Sequence, residues 1–71
     1  MNNPSDTVYL WASVVKELGQ SLLVDTADGT RVVPTSQIRP GSEVTGLGDE
    51  GIIAVPRWLA EDRGLDYSEE P

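Results

Sequence analysis

Ser21-Leu22-Leu23-Val24-Asp25-Thr26-Ala27-Asp28-Gly29-Thr30-Arg31-Val32-Val33-Pro34 is the segment on which the fold turns. A short apolar run, an Asp-Gly pair and a second β-branched run form the pattern of a β-hairpin. Asp28-Gly29 is expected at the turn, with residues 21–25 and 30–33 as the two strands. Pro34 ends the second strand, because proline has no N–H to give to a ladder. Two strands alone are not stable in water, so a third must pack beside them. Residues 7–16 are the candidate, joined to the hairpin through residues 17–20. Trp11, Val14, Val15 and Leu18 also fall at helical spacing, with Gly19 placed to cap a helix. The alternation of Val8, Leu10, Ala12 and Val14, and the β-forming run Val8-Tyr9-Leu10-Trp11, favour the strand.

Downstream, Thr35-Ser36-Gln37-Ile38 reads as a turn or one turn of 3₁₀ helix that tucks Ile38 inward. Pro40-Gly41 fits the centre of a type II turn. Glu43-Val44-Thr45 is expected as a short fourth strand, and residues 46–51, with three glycines, as a loop. Gly51-Ile52-Ile53-Ala54-Val55 is the most apolar run and is expected as the central strand. Pro56 suits the first turn of a helix over residues 57–63, and Gly64 suits its end, with Leu65 packing back in a Schellman arrangement. Five short strands and one short C-terminal helix predict a mainly β, small α+β fold: an SH3-like or OB-like partial barrel. The expected core is Val8, Leu10, Val14, Leu23, Val32, Ile38, Val44, Ile52, Ala54, Trp58, Leu59 and Leu65.

Length and charge narrow the function. The chain has 71 residues, enough for one small domain. We expect a disordered N-terminus over residues 1–6, a single domain over 7–65 and a flexible acidic tail over 66–71. Histidine and cysteine are absent, which removes disulfides, thiol nucleophiles, His or Cys zinc ligands and His-based triads. No enzyme activity and no cofactor or metal is expected. Twelve acidic residues against five basic ones give a net charge of −7, which argues against direct nucleic-acid binding. No apolar run approaches a membrane span and no basic-plus-apolar leader is seen, so no membrane partner is expected.

Several residues invite a functional reading. Asp49 and Glu50 lie together among glycines, but two carboxylates are too few for a calcium site, and a solvated turn accounts for them. Ser36 has no histidine to activate it, and Lys16 beside Glu17 reads as a solvated ammonium; Ser36 and Gln37 suit local turn bonds. Arg31, Arg39 and Arg57 are too few for a basic stripe. Trp11 must face away from Leu10, so Tyr9, Trp11 and Val15 form a second apolar stripe. That stripe is either the far side of a barrel core or an exposed patch on which a partner or a second copy docks. From Asp49 onward there are seven acidic residues against Arg57 and Arg63, so this segment holds −5 of the net −7. The plain reading is a solubilising surface. The functional one is a negative face formed by Asp49, Glu50, Glu61, Asp62 and Asp66, which would engage a basic surface on another protein.

The order Val24-Asp25, Asp28-Gly29, Val33-Pro34, Ser36-Gln37-Ile38, Gly48-Asp49-Glu50-Gly51, Val55-Pro56, Trp58-Leu59-Ala60-Glu61 and Gly64-Leu65 resembles a group of small proteins from phages and prophages. In that group a strand ends in Pro-Lys-Ser-Gln-Ile, and the chain closes on a Trp-Leu-Ala-x-x-x-Gly-Leu helix. The likeness spans residues 22–65. It departs at Val33 and Thr35, where the group carries an aromatic residue and a lysine, so any contact made by that lysine is missing here. The resemblance implies an accessory protein of a mobile element, located in the cytoplasm of a bacterial host cell. The expected function is an acidic protein-binding module that binds and inhibits a host protein, by nucleic-acid mimicry of the anti-CRISPR-like or another anti-defence kind. Asp49, Glu50, Glu61, Asp62 and Asp66 would supply charge, with Tyr9 and Trp11 as apolar anchors. The alternatives are a nucleic-acid-associated module of phage DNA processing and a structural homodimer or larger homo-oligomer using Tyr9, Trp11 and Val15.

Overall fold

Eleven residues form the first strand, β1 (Thr7–Glu17), in the computed structural model, which describes residues 6–44 and 46–70. Expectations for residues 1–5, Thr45 and Pro71 lie outside the described residues. Val8, Leu10, Ala12 and Val14 are buried on one face, while Tyr9, Trp11 and Ser13 face the other way. The two-residue period therefore decides this segment against the helical reading. β1 pairs antiparallel with β2 (Ser21–Thr26) and with β4 (Glu50–Pro56), and β2 pairs with β3 (Gly29–Pro34), giving the order β3-β2-β1-β4.

A bulge resolves a conflict within β1. Val14 pairs with Val24, but Lys16, not Val15, pairs with Leu23. Without the bulge, strict alternation would set Val15 opposite Leu23 and turn Lys16 toward the core. With it, Lys16 shares the outer face with Leu23, and Glu17 comes into phase opposite Leu22. At the strand end the Glu17 carboxylate Oε2 accepts the Leu47 N–H at 3.2 Å. Val15, the residue displaced by the bulge, is exposed.

The hairpin forms where expected, with its turn one residue earlier. Ala27 and Asp28 are the loop, and Gly29 already pairs with Thr26. Gly29 has φ 108°, so glycine takes the conformation that Asp28 avoids. Thr26 closes the turn, its hydroxyl donating to the Gly29 carbonyl at 2.7 Å and accepting the Asp28 N–H at 3.1 Å. After Pro34 comes the expected 3₁₀ turn (Thr35–Gln37), and Ile38 packs against the core. The Pro40-Gly41 turn also forms: Gly41 has φ 102° and the Ser42 N–H donates to the Arg39 carbonyl at 3.3 Å.

The described residues form four strands rather than five. Glu43 and Val44, expected to begin a strand, instead belong to an irregular segment beside β4, which Arg39, Ser42 and Glu43 join to it with side chains as well as backbone. The Arg39 N–H donates to the Ala54 carbonyl at 2.8 Å and the Glu43 N–H to the Ile52 carbonyl at 2.7 Å. In return Ser42 Oγ accepts the Ala54 N–H and Glu43 Oε1 accepts the Ile52 N–H, each at 2.8 Å. Irregular chain thus covers the edge of β4, satisfying groups that would otherwise invite another strand. β4 is accordingly the last strand in the order, not the central one; its apolar run is buried because this segment shields it. The opposite edge is covered by an arginine pair. Arg63 Nε donates to the Val32 carbonyl at 3.2 Å, and Arg31 Nε to the Arg63 carbonyl at 2.8 Å.

The helix α1 (Arg57–Asp62) starts directly from β4, with Pro56 as its N-cap rather than inside its first turn. It ends in the expected Schellman motif: Leu65 N–H donates to the Ala60 carbonyl at 2.8 Å, Gly64 N–H to the Glu61 carbonyl at 3.2 Å, and Gly64 has φ 68°. Leu59, Ala60 and Leu65 close the core formed by Val8, Leu10, Ala12, Val14, Leu22, Val24, Val33, Val44, Ile53 and Val55. Burying Leu59 alone stabilises the fold by about 2 kcal/mol.

Four expected core residues lie elsewhere. Leu23 and Ile52 are half-buried on the outer face, Val32 is exposed beside Leu23, and Trp58 is 51% exposed. In β2, β3 and β4 the phase is one residue from that expected, because Leu22 and Val24, Val33, and Ile53 and Val55 follow the buried side of β1. A helix of six residues has one inward side, and directing Leu59 and Ala60 inward turns Trp58 out.

Candidate outer-face binding site

Strand register sets one row of side chains after another on the outer face of the sheet. Trp11 pairs with Ile52, and the next row holds Asp25, Ser13 and Glu50 side by side. Trp11 is 48% exposed, large for an indole not covered by its own chain. An apolar pair thus has carboxylates from two neighbouring strands along one side.

On the other side of Trp11 the sheet has a gap. β2 leaves β1 after the Ser13–Asp25 pair, because the Ala27-Asp28 loop turns the chain away. The first half of β1 then needs another partner, and residues 66–70, expected as a flexible tail, run back to supply it. Tyr9 and Ser68 exchange N–H and carbonyl bonds, both 2.8 Å. The Asp66 N–H donates to Asp28 Oδ2 at 2.7 Å, joining this segment to the hairpin loop. Between them lies a groove of about 380 Å³, whose lining includes Tyr9, Trp11, Ile52 and Tyr67 together with Asp28, Asp66 and Glu70.

Arg57 fixes the Tyr67 wall. Its guanidinium lies 5.6 Å from the Tyr67 ring centroid, donates from Nη1 to the Tyr67 hydroxyl at 3.3 Å and meets Glu69 Oε1 at 3.0 Å. The bonds to Glu69 and then Tyr67 hold that guanidinium still more firmly protonated than a free arginine. The Tyr67 hydroxyl in turn donates to Glu61 Oε2 at 3.0 Å.

The residues singled out from the sequence are therefore divided. Tyr9, Trp11 and Asp66 line one groove, and Glu50 stands on the same face two positions from Ile52. Asp49 accepts the Gly46 N–H at 3.0 Å and closes its own loop. Glu61 reaches the groove only through Tyr67, and Asp62 pairs with Arg63 on the helix. Asp25, Asp28, Tyr67 and Glu70 were not singled out; Asp25 sits two residues from outward Leu23, and Asp28 carried only a turn reading. Arg31, Arg39 and Arg57 occupy separate places, since Arg39 Nη1 donates to Thr7 Oγ1 at 2.9 Å, Arg31 binds the helix end and Arg57 binds Tyr67 and Glu69.

Among the described residues, no group of three or more carboxylates converges on a point that would hold a metal ion, and no helix is long and apolar enough to cross a membrane. The chain matches no protein family, no curated protein and no solved structure.

Proposed function

We propose that this protein is a non-enzymatic binding module that receives a basic surface of another protein on the outer face of its sheet. The observation that carries the reading is the half-exposed Trp11 beside Ile52, with Asp25 and Glu50 on one side and Asp28, Asp66 and Glu70 on the other. Aromatic anchors inside a polar rim are the residue types that dominate protein interfaces. The net charge of −7 steers a cationic partner toward the face and repels a phosphate backbone. The same carboxylates oppose a second copy of the chain on this surface, so a monomer is expected in sedimentation.

The absence of histidine and cysteine supports a role without bond-making chemistry. The likeness to small phage and prophage proteins supports a target in the host cytoplasm. A nucleic-acid-binding protein of a defence or DNA-processing machine has the required basic surface, and the acidic face would occupy it in place of nucleic acid. The bulge in β1 and the cover that residues 39–44 give to the edge of β4 support reading the fold as an SH3-like or OB-like partial barrel, completed by irregular chain and α1.

The test is affinity for a basic DNA-binding domain at two salt concentrations. Changing Asp25, Glu50, Asp28 and Asp66 together to Asn or Gln is expected to weaken binding by about tenfold or more and to flatten its salt dependence. Equal affinity of the unaltered protein at low and high salt would overturn the charge-directed reading.

A further inference from the structure

We infer that the groove beside Trp11 is a slot for one arginine side chain of the bound partner, an inference that rests on the binding-module reading and names the chemistry of its occupant. Three features converge there. Trp11, Tyr9 and Tyr67 line the groove, and Asp28 and Asp66 line it with them. The third is the backbone of Trp11. Tyr9 is paired with Ser68 and Ser13 with Asp25, but among the described residues no strand pairs with Trp11 on that side, so its edge opens into the groove.

A guanidinium meets these demands together. Its flat face stacks on an aromatic ring, its five N–H donors fan out in a plane toward carboxylate and carbonyl oxygens, and it is shed by water more readily than an ammonium. A lysine head would place the same charge without the stacking or the fork. The chain itself brings one guanidinium to an aromatic ring and a carboxylate at the neighbouring wall. Arg57 lies over the Tyr67 ring and joins the Glu69 carboxylate at 3.0 Å. The groove offers a second ring-and-carboxylate seat, with negative charge that the chain's own arginines, held elsewhere, leave for another molecule.

The test is a titration of the ¹⁵N-labelled full chain with three blocked pentapeptides, Gly-Gly-X-Gly-Gly, in which X is arginine, lysine or citrulline. The indole N–H of Trp11 is the reporter, and that of Trp58, on the helix, is the reference. The arginine peptide is expected to shift the Trp11 signal saturably, the lysine peptide to bind about tenfold more weakly, and citrulline to give no saturable shift. Trp11→Leu should abolish the response read at the Tyr9 and Ser68 amides; Asp66→Asn should weaken it, and Trp58→Leu should leave it unchanged. Equal binding of arginine and citrulline, or equal shifts at Trp58, overturns the slot. Equal binding of arginine and lysine that still depends on Trp11 overturns the slot while sparing the binding module. No response to either cationic peptide, together with no binding of the basic domain, overturns both.

Discussion

Ser42→Ala removes one oxygen and tests how the exposed edge of the sheet is closed. Ser42 Oγ accepts the Ala54 N–H at 2.8 Å and donates to the Arg39 carbonyl at 2.9 Å. Ala54 is fully buried, so water does not readily replace the lost acceptor. A buried donor left without a partner costs about 1–3 kcal/mol, and about 2 kcal/mol is expected here. A chain of this length has a total stability of about 4–10 kcal/mol, so the loss is a large fraction of it. At about 4–8 °C per kcal/mol for so small a domain, the midpoint of thermal unfolding should fall by about 10 °C. Urea denaturation followed by far-UV circular dichroism should show a lower midpoint at an unchanged slope, since the surface exposed on unfolding is the same. Hydrogen exchange should accelerate at the Ala54 amide ahead of the amides of β2. Ser36→Ala, on the exposed 3₁₀ turn, is the control and should move stability by no more than about 0.5 kcal/mol. If Ser42→Ala matches that control, the edge is not held by this hydroxyl and the account of the four-stranded sheet is wrong.

Gly51 has φ 147°, and an added Cβ would sit 2.7 Å from Glu43 Oε1. Gly51→Ala should therefore cost about 1–3 kcal/mol in urea denaturation, from backbone strain and displacement of Glu43, with faster exchange at Ile52. Deleting Val15 should be tolerated, although removing a residue from an inner strand ordinarily inverts its faces. Here the deletion turns the bulge into regular pairing, with Lys16 still opposite Leu23. A cooperative unfolding transition within about 2 kcal/mol of the parent is expected, and a chain without a native transition would contradict the assigned register.

The sequence exposed the frame of this fold more clearly than its phases. In β1 polar or aromatic residues separate Val8, Leu10, Ala12 and Val14, so the two-residue period outweighed the helical spacing of Trp11, Val14, Val15 and Leu18. Leu22-Leu23-Val24, Val32-Val33 and Ile52-Ile53-Ala54-Val55 are apolar on both faces, and alternation alone does not choose between them. Their phase comes from tertiary pairing with β1. The two-residue period still separated Trp11 from Leu10, and with it one wall of the groove. The opposite wall depended on where β2 leaves β1, a consequence of a loop placed one residue earlier than Asp28-Gly29 implied. The path of residues 66–70 follows from that gap, since the backbone of Tyr9 needs a partner there. Composition reported the acidity of this segment and not its route. The grouping of Asp49, Glu50, Glu61, Asp62 and Asp66 came from proximity in sequence, whereas strand register is what sets Glu50 beside Asp25 around Trp11.

The most direct test of the outer face as the docking surface is an amide chemical-shift map of the ¹⁵N-labelled protein with a basic peptide at low salt. The account predicts saturable shifts at Tyr9, Trp11, Asp28, Ile52 and Asp66, suppressed by added salt, with Trp58, Glu61 and Asp62 little changed. Shifts centred on the helix or on the Asp49 loop, or an equal response to an acidic peptide, would contradict it.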